Sequence, residues 1–153
     1  MNNVDVSQIL VRARRQEKKN YLVQRDFSDK EILGQAYINW QVAQADLIKA
    51  VKVAPDQLLA AYGEFLLAFA RIANQRQWAY KLLLDETTIA NFKNKWQAPS
   101  QSSVFLIMNQ LVNKSFFSND MEAFTHAWHI IIKFGLVELQ ISETELDAWI
   151  KEG

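Results

Sequence analysis

Four glycines and two prolines are all that interrupt 153 residues. Strands joined by tight turns need far more punctuation than that, so the scarcity points to helices. The apolar spacing agrees. Ser28 with Glu31 forms a capping box, and Ile32, Leu33, Ala36, Tyr37, Trp40, Ala43, Leu47, Ala50 and Val51 follow it at i, i+3/i+4 intervals. Pro55 suits the first turn of another helix, whose stripe is Leu58, Leu59, Tyr62, Phe65, Leu66, Phe69, Ile72 and Ala73. The polar run 98–103 reads as a loop before a helix that begins near Val104. Asn119 or Asp120 can cap the next helix, expected to run to about Leu139. Ile130, Ile131 and Ile132 are β-branched, but the flanking Phe124, Trp128, Phe134 and Leu136 keep a helical stripe. Ser142 with Glu145 opens a short terminal helix. The fold class expected is all-α, a bundle of about five to six helices. Residues 1–27 read as a basic N-terminal helical extension, and 28–153 as the helical domain.

A chain this long can bury a real core, and 50% of its residues are hydrophobic. Seventeen Lys and Arg balance seventeen Asp and Glu, which argues against bulk nucleic-acid binding. Six of those cations lie between Arg12 and Arg25, against Glu17 alone, and read as a solvated helix face. There is no cysteine, so disulfides, thiolate zinc sites, iron–sulfur clusters and thiol nucleophiles are excluded. The first residues lack a basic start followed by an apolar core, and no apolar run is long enough to span a bilayer. A cytoplasmic protein without membrane segments is the expectation.

Motifs that carry chemistry are scarce. G-x-S-x-G, P-loop, G-x-G-x-x-G and H-E-x-x-H patterns are all missing. The two histidines, His126 and His129, lie three apart on one helix, with Glu122 one turn before His126. Imidazole and carboxylate together suit a transition metal, but two ligands do not make a site.

Two segments take the reading further: Leu67–Gln75, containing Ile72-Ala73-Asn74, and Met121–Glu138, containing Glu122, Phe124, His129, Ile131, Gly135, Leu136 and Glu138. Together they resemble the dimeric, all-α dUTPase family, relatives of the MazG-like nucleotide pyrophosphohydrolases. Gln41 through Asp46-Leu47 looks like that family's first core helix, with a spacing one residue too long. Phe92-Lys93 and Trp96 resemble its F-K-x-W element after a longer gap. The resemblance covers about residues 35–140. It implies an all-α pyrophosphatase-like fold, a homodimer, and a site in which two E-x-x-E/D pairs hold Mg²⁺ against a triphosphate. The aromatic surplus, 12% of the chain, fits a dimer interface.

Carried onto this chain, the four metal-ligand positions of that family fall on Ala68, Arg71, Ala123 and His126, none a carboxylate, and a further family Glu becomes Gln75. A guanidinium at Arg71 opposes a dication and favours an anion. The resemblance therefore implies a member that has lost its Mg²⁺ ligands, expects no cofactor, and acts by binding a nucleotide or another protein. Nucleotide contacts would come from Gln41, Asn74, Arg71, Lys93 and His129. The alternative is a divergent, active dUTP diphosphatase with Mg²⁺ in a displaced site built from Glu64, Glu122, His126 and Asp46.

Overall fold

A computed structural model describes residues 5–23, 28–95 and 100–152, with the side chains of all but 16–23 and 92–95. Every regular element among them is helical: α1 Val6–Val23, α2 Asp29–Val53, α3 Leu58–Arg76, α4 Glu86–Lys95, α5 Gln101–Phe117, α6 Met121–Lys133 and α7 Glu143–Glu152. Short 3₁₀ turns cover Pro55–Gln57 and Ala79–Leu82, and a π turn covers Phe134–Glu138. Among the described residues no helix is long and apolar enough to cross a membrane.

The helix starts are locally determined. The Glu31 amide donates to Ser28 Oγ at 3.2 Å. The Ala123 amide donates to Asp120 Oδ1 at 3.0 Å. Ser142 and Glu145 form a reciprocal box: Glu145 N–H donates to Ser142 Oγ (3.0 Å), and Ser142 N–H donates to Glu145 Oε1 (3.4 Å).

Two expectations need correction. Among the described residues the bundle has seven helices, because α4 forms in a stretch with weak apolar periodicity, where Ile89 is buried. Helix α5 starts at Gln101 rather than Val104, because Ser100 Oγ accepts the Ser103 amide at 3.1 Å. The loop expected over 98–103 is therefore cap and first turn from Ser100 on; 98 and 99 lie outside the described residues, as does Trp96.

The core is aromatic. Helix α2 packs on α3, and α5 on α6. Between these pairs Phe69 stacks on Phe124 (4.1 Å, 13° between rings) and on Trp128 (5.2 Å, 22°), and within the first pair Trp40 stacks on Phe65 (5.2 Å). Trp128 Nε1 donates to the Leu82 carbonyl at 2.9 Å, which ties the 3₁₀ turn to α6.

The first half of α1 packs into this core. Val6, Ile9 and Ala13 are buried, and α1 packs on α3 and α7. The Asp5 amide donates to Asp147 Oδ1 at 3.0 Å. Arg12 Nη1 donates to the Trp149 and Ile150 carbonyls at 3.0 and 3.3 Å, and its guanidinium sits 4.2 Å above the Trp149 ring. These carbonyls end α7, where a cation is favoured. Arg12→Ala should therefore cost about 1–2 kcal/mol, from lost charged hydrogen bonds and the ring contact. The urea midpoint reads this, and an unchanged midpoint would make the clamp incidental.

The π turn has a visible cause. A regular helix would pair the Gly135 amide with the Ile131 carbonyl. Instead the Tyr62 hydroxyl from α3 lies between them: it donates to the Ile131 carbonyl at 2.8 Å and accepts from the Gly135 N–H. The ladder widens, and Leu139 N–H reaches back five residues to the Phe134 carbonyl at 2.9 Å. Burial pushes the Tyr62 hydroxyl far above its ordinary pKa, so it stays a neutral donor. Gly135 is required by the ring's approach, since a Cβ there would lie 2.0 Å from Tyr62 Cζ.

Candidate ligand cleft and the expected metal positions

The residues that join α3 to α6 decide where the expected metal positions point. The contact runs through Tyr62 and Phe69 on one side and Phe124, Trp128 and Ile131 on the other. Arg71 is two residues past Phe69, about 200° around the helix. His126 is two residues from both Phe124 and Trp128, again about 200° away. Arg71 and His126 thus lie on the far sides of the two helices and do not converge. Arg71 is partly buried and engaged by neighbours, and His126 is exposed. Ala68 and Ala123 are buried methyl groups.

The displaced set is not assembled either. Asp46, Glu64, Glu122 and His126 are all exposed, and Glu122 pairs with Lys81 at 3.4 Å. Among the described residues no three His, Asp or Glu side chains are grouped to hold a metal ion. Of the expected nucleotide contacts, Asn74 donates Nδ2–H to the Leu10 carbonyl (3.2 Å) and anchors α1. The Lys93 side chain lies outside the described residues.

His129 is half-buried on α6, and its imidazole pKa lies below the ordinary value. Burial is the main cause, and the positive charges of Lys133 and His126 add to it. The unfolded chain then binds this proton more readily than the folded one. Stability from the neutral ring is fully present above the ordinary histidine pKa, about 6.5, and is lost as the pH falls below it. The melting temperature should therefore fall between about pH 7.5 and 5.5, less steeply in His129→Gln. Equal slopes in both proteins would refute the assignment.

Gln41 leads to a different place. It lines a cleft of about 460 Å³ between α2 and α5, a volume in the range of small-molecule sites. Helix α2 contributes Glu31, Gly34, Gln35, Tyr37, Ile38 and Gln41; α5 contributes Asn113, Phe116 and Phe117. The floor is rigid. Ser115 Oγ donates to the Val112 carbonyl at 2.6 Å, so the hydrogen in the 2.9 Å contact between Tyr37 and Ser115 is the tyrosine's. The Tyr37 and Phe116 rings meet edge to face at 5.0 Å. Beneath them Arg76 Nη2 donates to the Ser115 carbonyl (3.1 Å), and Nη1 to Asn119 Oδ1 (2.6 Å). The same guanidinium lies 4.7 Å over Trp78. Arg76 thus binds the ends of α3 and α5 together and fixes one wall of the cleft.

The rim is apolar and open to solvent: Phe117 is 81% exposed and Ile38 56%. Gly34 is the odd residue. It sits inside α2, where glycine costs about 1 kcal/mol relative to alanine. Its φ is not positive, and a Cβ would meet nothing within 4 Å. Neither backbone geometry nor packing asks for a glycine there. The missing side chain leaves bare helix backbone in the cleft wall. In the sequence the signal of this cleft is a lone glycine within a helical stripe.

No protein-family model, curated protein or solved structure matches the chain.

Proposed function

We propose that this chain is a binding protein built on the helix order of the all-α dUTPases, without their pyrophosphohydrolase chemistry. The observation that carries the reading is the pairing of α3 with α6 through the Phe69–Phe124–Trp128 stack. That stack turns Arg71 and His126 away from the contact between the two helices and occupies the space there with rings. Such an arrangement offers a hard dication no oxygen ligands. A formed cleft elsewhere, with polar and apolar walls, supports binding as the mode of action. In this reading the chain is cytoplasmic and homodimeric, and its partner is a small ligand or another protein.

The test is an assay of purified chain with dUTP and Mg²⁺. No pyrophosphate should appear above the protein-free rate. A thermal scan with a non-hydrolysable dUTP analogue is the companion. Ligand at about 100 times its dissociation constant adds about 2.7 kcal/mol, roughly 5–10 °C for a domain of this size. Any shift seen should be the same with and without Mg²⁺. Mg²⁺-dependent release of pyrophosphate would overturn the proposal in favour of a divergent diphosphatase.

A further inference from the structure

We propose that the α2–α5 cleft binds a small planar heteroaromatic ligand, neutral or singly cationic and carrying no phosphate. This rests only on the reading of the chain as a binding protein and is independent of its ancestry.

Three observations converge on it. The first is Gly34. A helix-weakening residue with no local reason to be there exposes bare backbone in the wall of a concave site. A flat group can approach such a surface more closely than any side-chain-bearing helix face allows. The second is the rim: Ile38 and Phe117 stand open to solvent at the mouth and offer apolar surface to a ring. The third is the polar complement. Gln41 on α2 and Asn113 on α5 offer a carboxamide from each wall, able both to donate and to accept. That pattern matches a ring edge carrying nitrogen and amine or carbonyl groups. The charge is equally selective. Glu31 is the only carboxylate in the lining, and no Lys, Arg or His lines the cleft. An anion entering it would lose solvation, meet a carboxylate and find no cation in the lining, with Arg76 beneath the floor already engaged by Ser115 and Asn119, whereas one positive charge would be welcomed.

The test uses quinoline, adenine, 4-aminoquinoline and adenosine monophosphate at about 1 mM, a concentration suited to ligands this small. The readout is the ¹H–¹⁵N spectrum of the full chain. The first three should shift the Gly34 backbone amide and the Gln41 and Asn113 side-chain amides. Adenosine monophosphate should bind at least about tenfold more weakly than adenine. Gly34→Leu fills the cleft and improves the helix, so it should abolish the shifts without lowering the melting temperature. Glu31→Gln should remove the preference for 4-aminoquinoline over quinoline. Silence from all four probes overturns the proposal. So does equal binding of adenine and its monophosphate, or binding that survives in Gly34→Leu. None of these results bears on pyrophosphate release, so the two proposals fail separately.

Discussion

Gly135→Ala should destabilise the chain by about 2–6 kcal/mol, among the largest effects of adding one methyl group anywhere in this fold. The new Cβ would fall 2.0 Å from Tyr62 Cζ and 2.1 Å from its oxygen. Tyr62 is fully buried and cannot swing clear. Overpacking of this kind costs about 1–3 kcal/mol. Displacing the hydroxyl also leaves the Gly135 amide without its partner and the Ile131 carbonyl with the Phe134 N–H alone, for about 1–3 kcal/mol more. At roughly 2–4 °C per kcal/mol, the melting temperature should fall by about 4–24 °C. Gly34→Ala is the internal control. It is also a helical glycine, but its Cβ meets open space, so the variant should gain up to about 1 kcal/mol. If the two substitutions move the melting temperature in the same direction, the account of Tyr62 within the α6 ladder is wrong.

Phe69→Ala should cost about 3–5 kcal/mol, the range for removing a buried aromatic ring. Phe69 is completely buried and meets three other rings: Phe124 at 4.1 Å, Trp128 at 5.2 Å and Trp40 at 6.3 Å. It therefore joins α2 and α3 to α6. Aromatic pairs contribute about 0.5–1.5 kcal/mol beyond the area they bury, so the upper half of the range is expected. Denaturant unfolding measures the loss, and the near-ultraviolet circular dichroism of Trp40 and Trp128 should collapse with it. Phe69→Leu should retain most of the burial and lose the stacking, for about 1–2 kcal/mol. A Phe69→Ala loss below about 1 kcal/mol would mean that the neighbouring rings refill the gap and that Phe69 does not hold the pairs together.

The parts of the fold that were readable in advance are those fixed by neighbours in sequence. Ser28 with Glu31 and Ser142 with Glu145 cap their helices by contacts three residues long, and both caps form. The β-branched run at Ile130–Ile132 stays helical because Phe124, Trp128 and Ile131 share the buried face. Helix α4 is not legible in the sequence, since its ten residues bring little apolar surface and, among its described side chains, only Ile89 is buried. The start of α5 is hard to see in the sequence because Ser102 and Ser103 resemble a loop until Ser100 is recognised as the cap. The candidate site was harder. Residues three apart on a helix do share a face, as Ala68 with Arg71 and Ala123 with His126 do. Which face turns inward is settled by distant partners: here Phe69 against Phe124, and Tyr62 against Ile131. The cleft depends on how α2 lies against α5, fixed by Tyr37, Ser115 and Arg76, which come from three different helices.

The Tyr62 hydroxyl has a consequence for inheritance. A π turn spends one more residue than the regular helix it interrupts, and here the surplus is held open by a side chain 73 positions earlier in the chain. Neither feature is favourable alone. A phenol without the widened turn has no room, and a widened turn without the phenol leaves the Gly135 amide dry. Gly135 adds a third condition, since only a residue without Cβ admits the ring. Tyr62, Gly135 and the extra residue should thus be gained or lost as a single trait in any lineage carrying this fold. A descendant that deleted one residue between 134 and 138 would be under immediate selection to replace Tyr62.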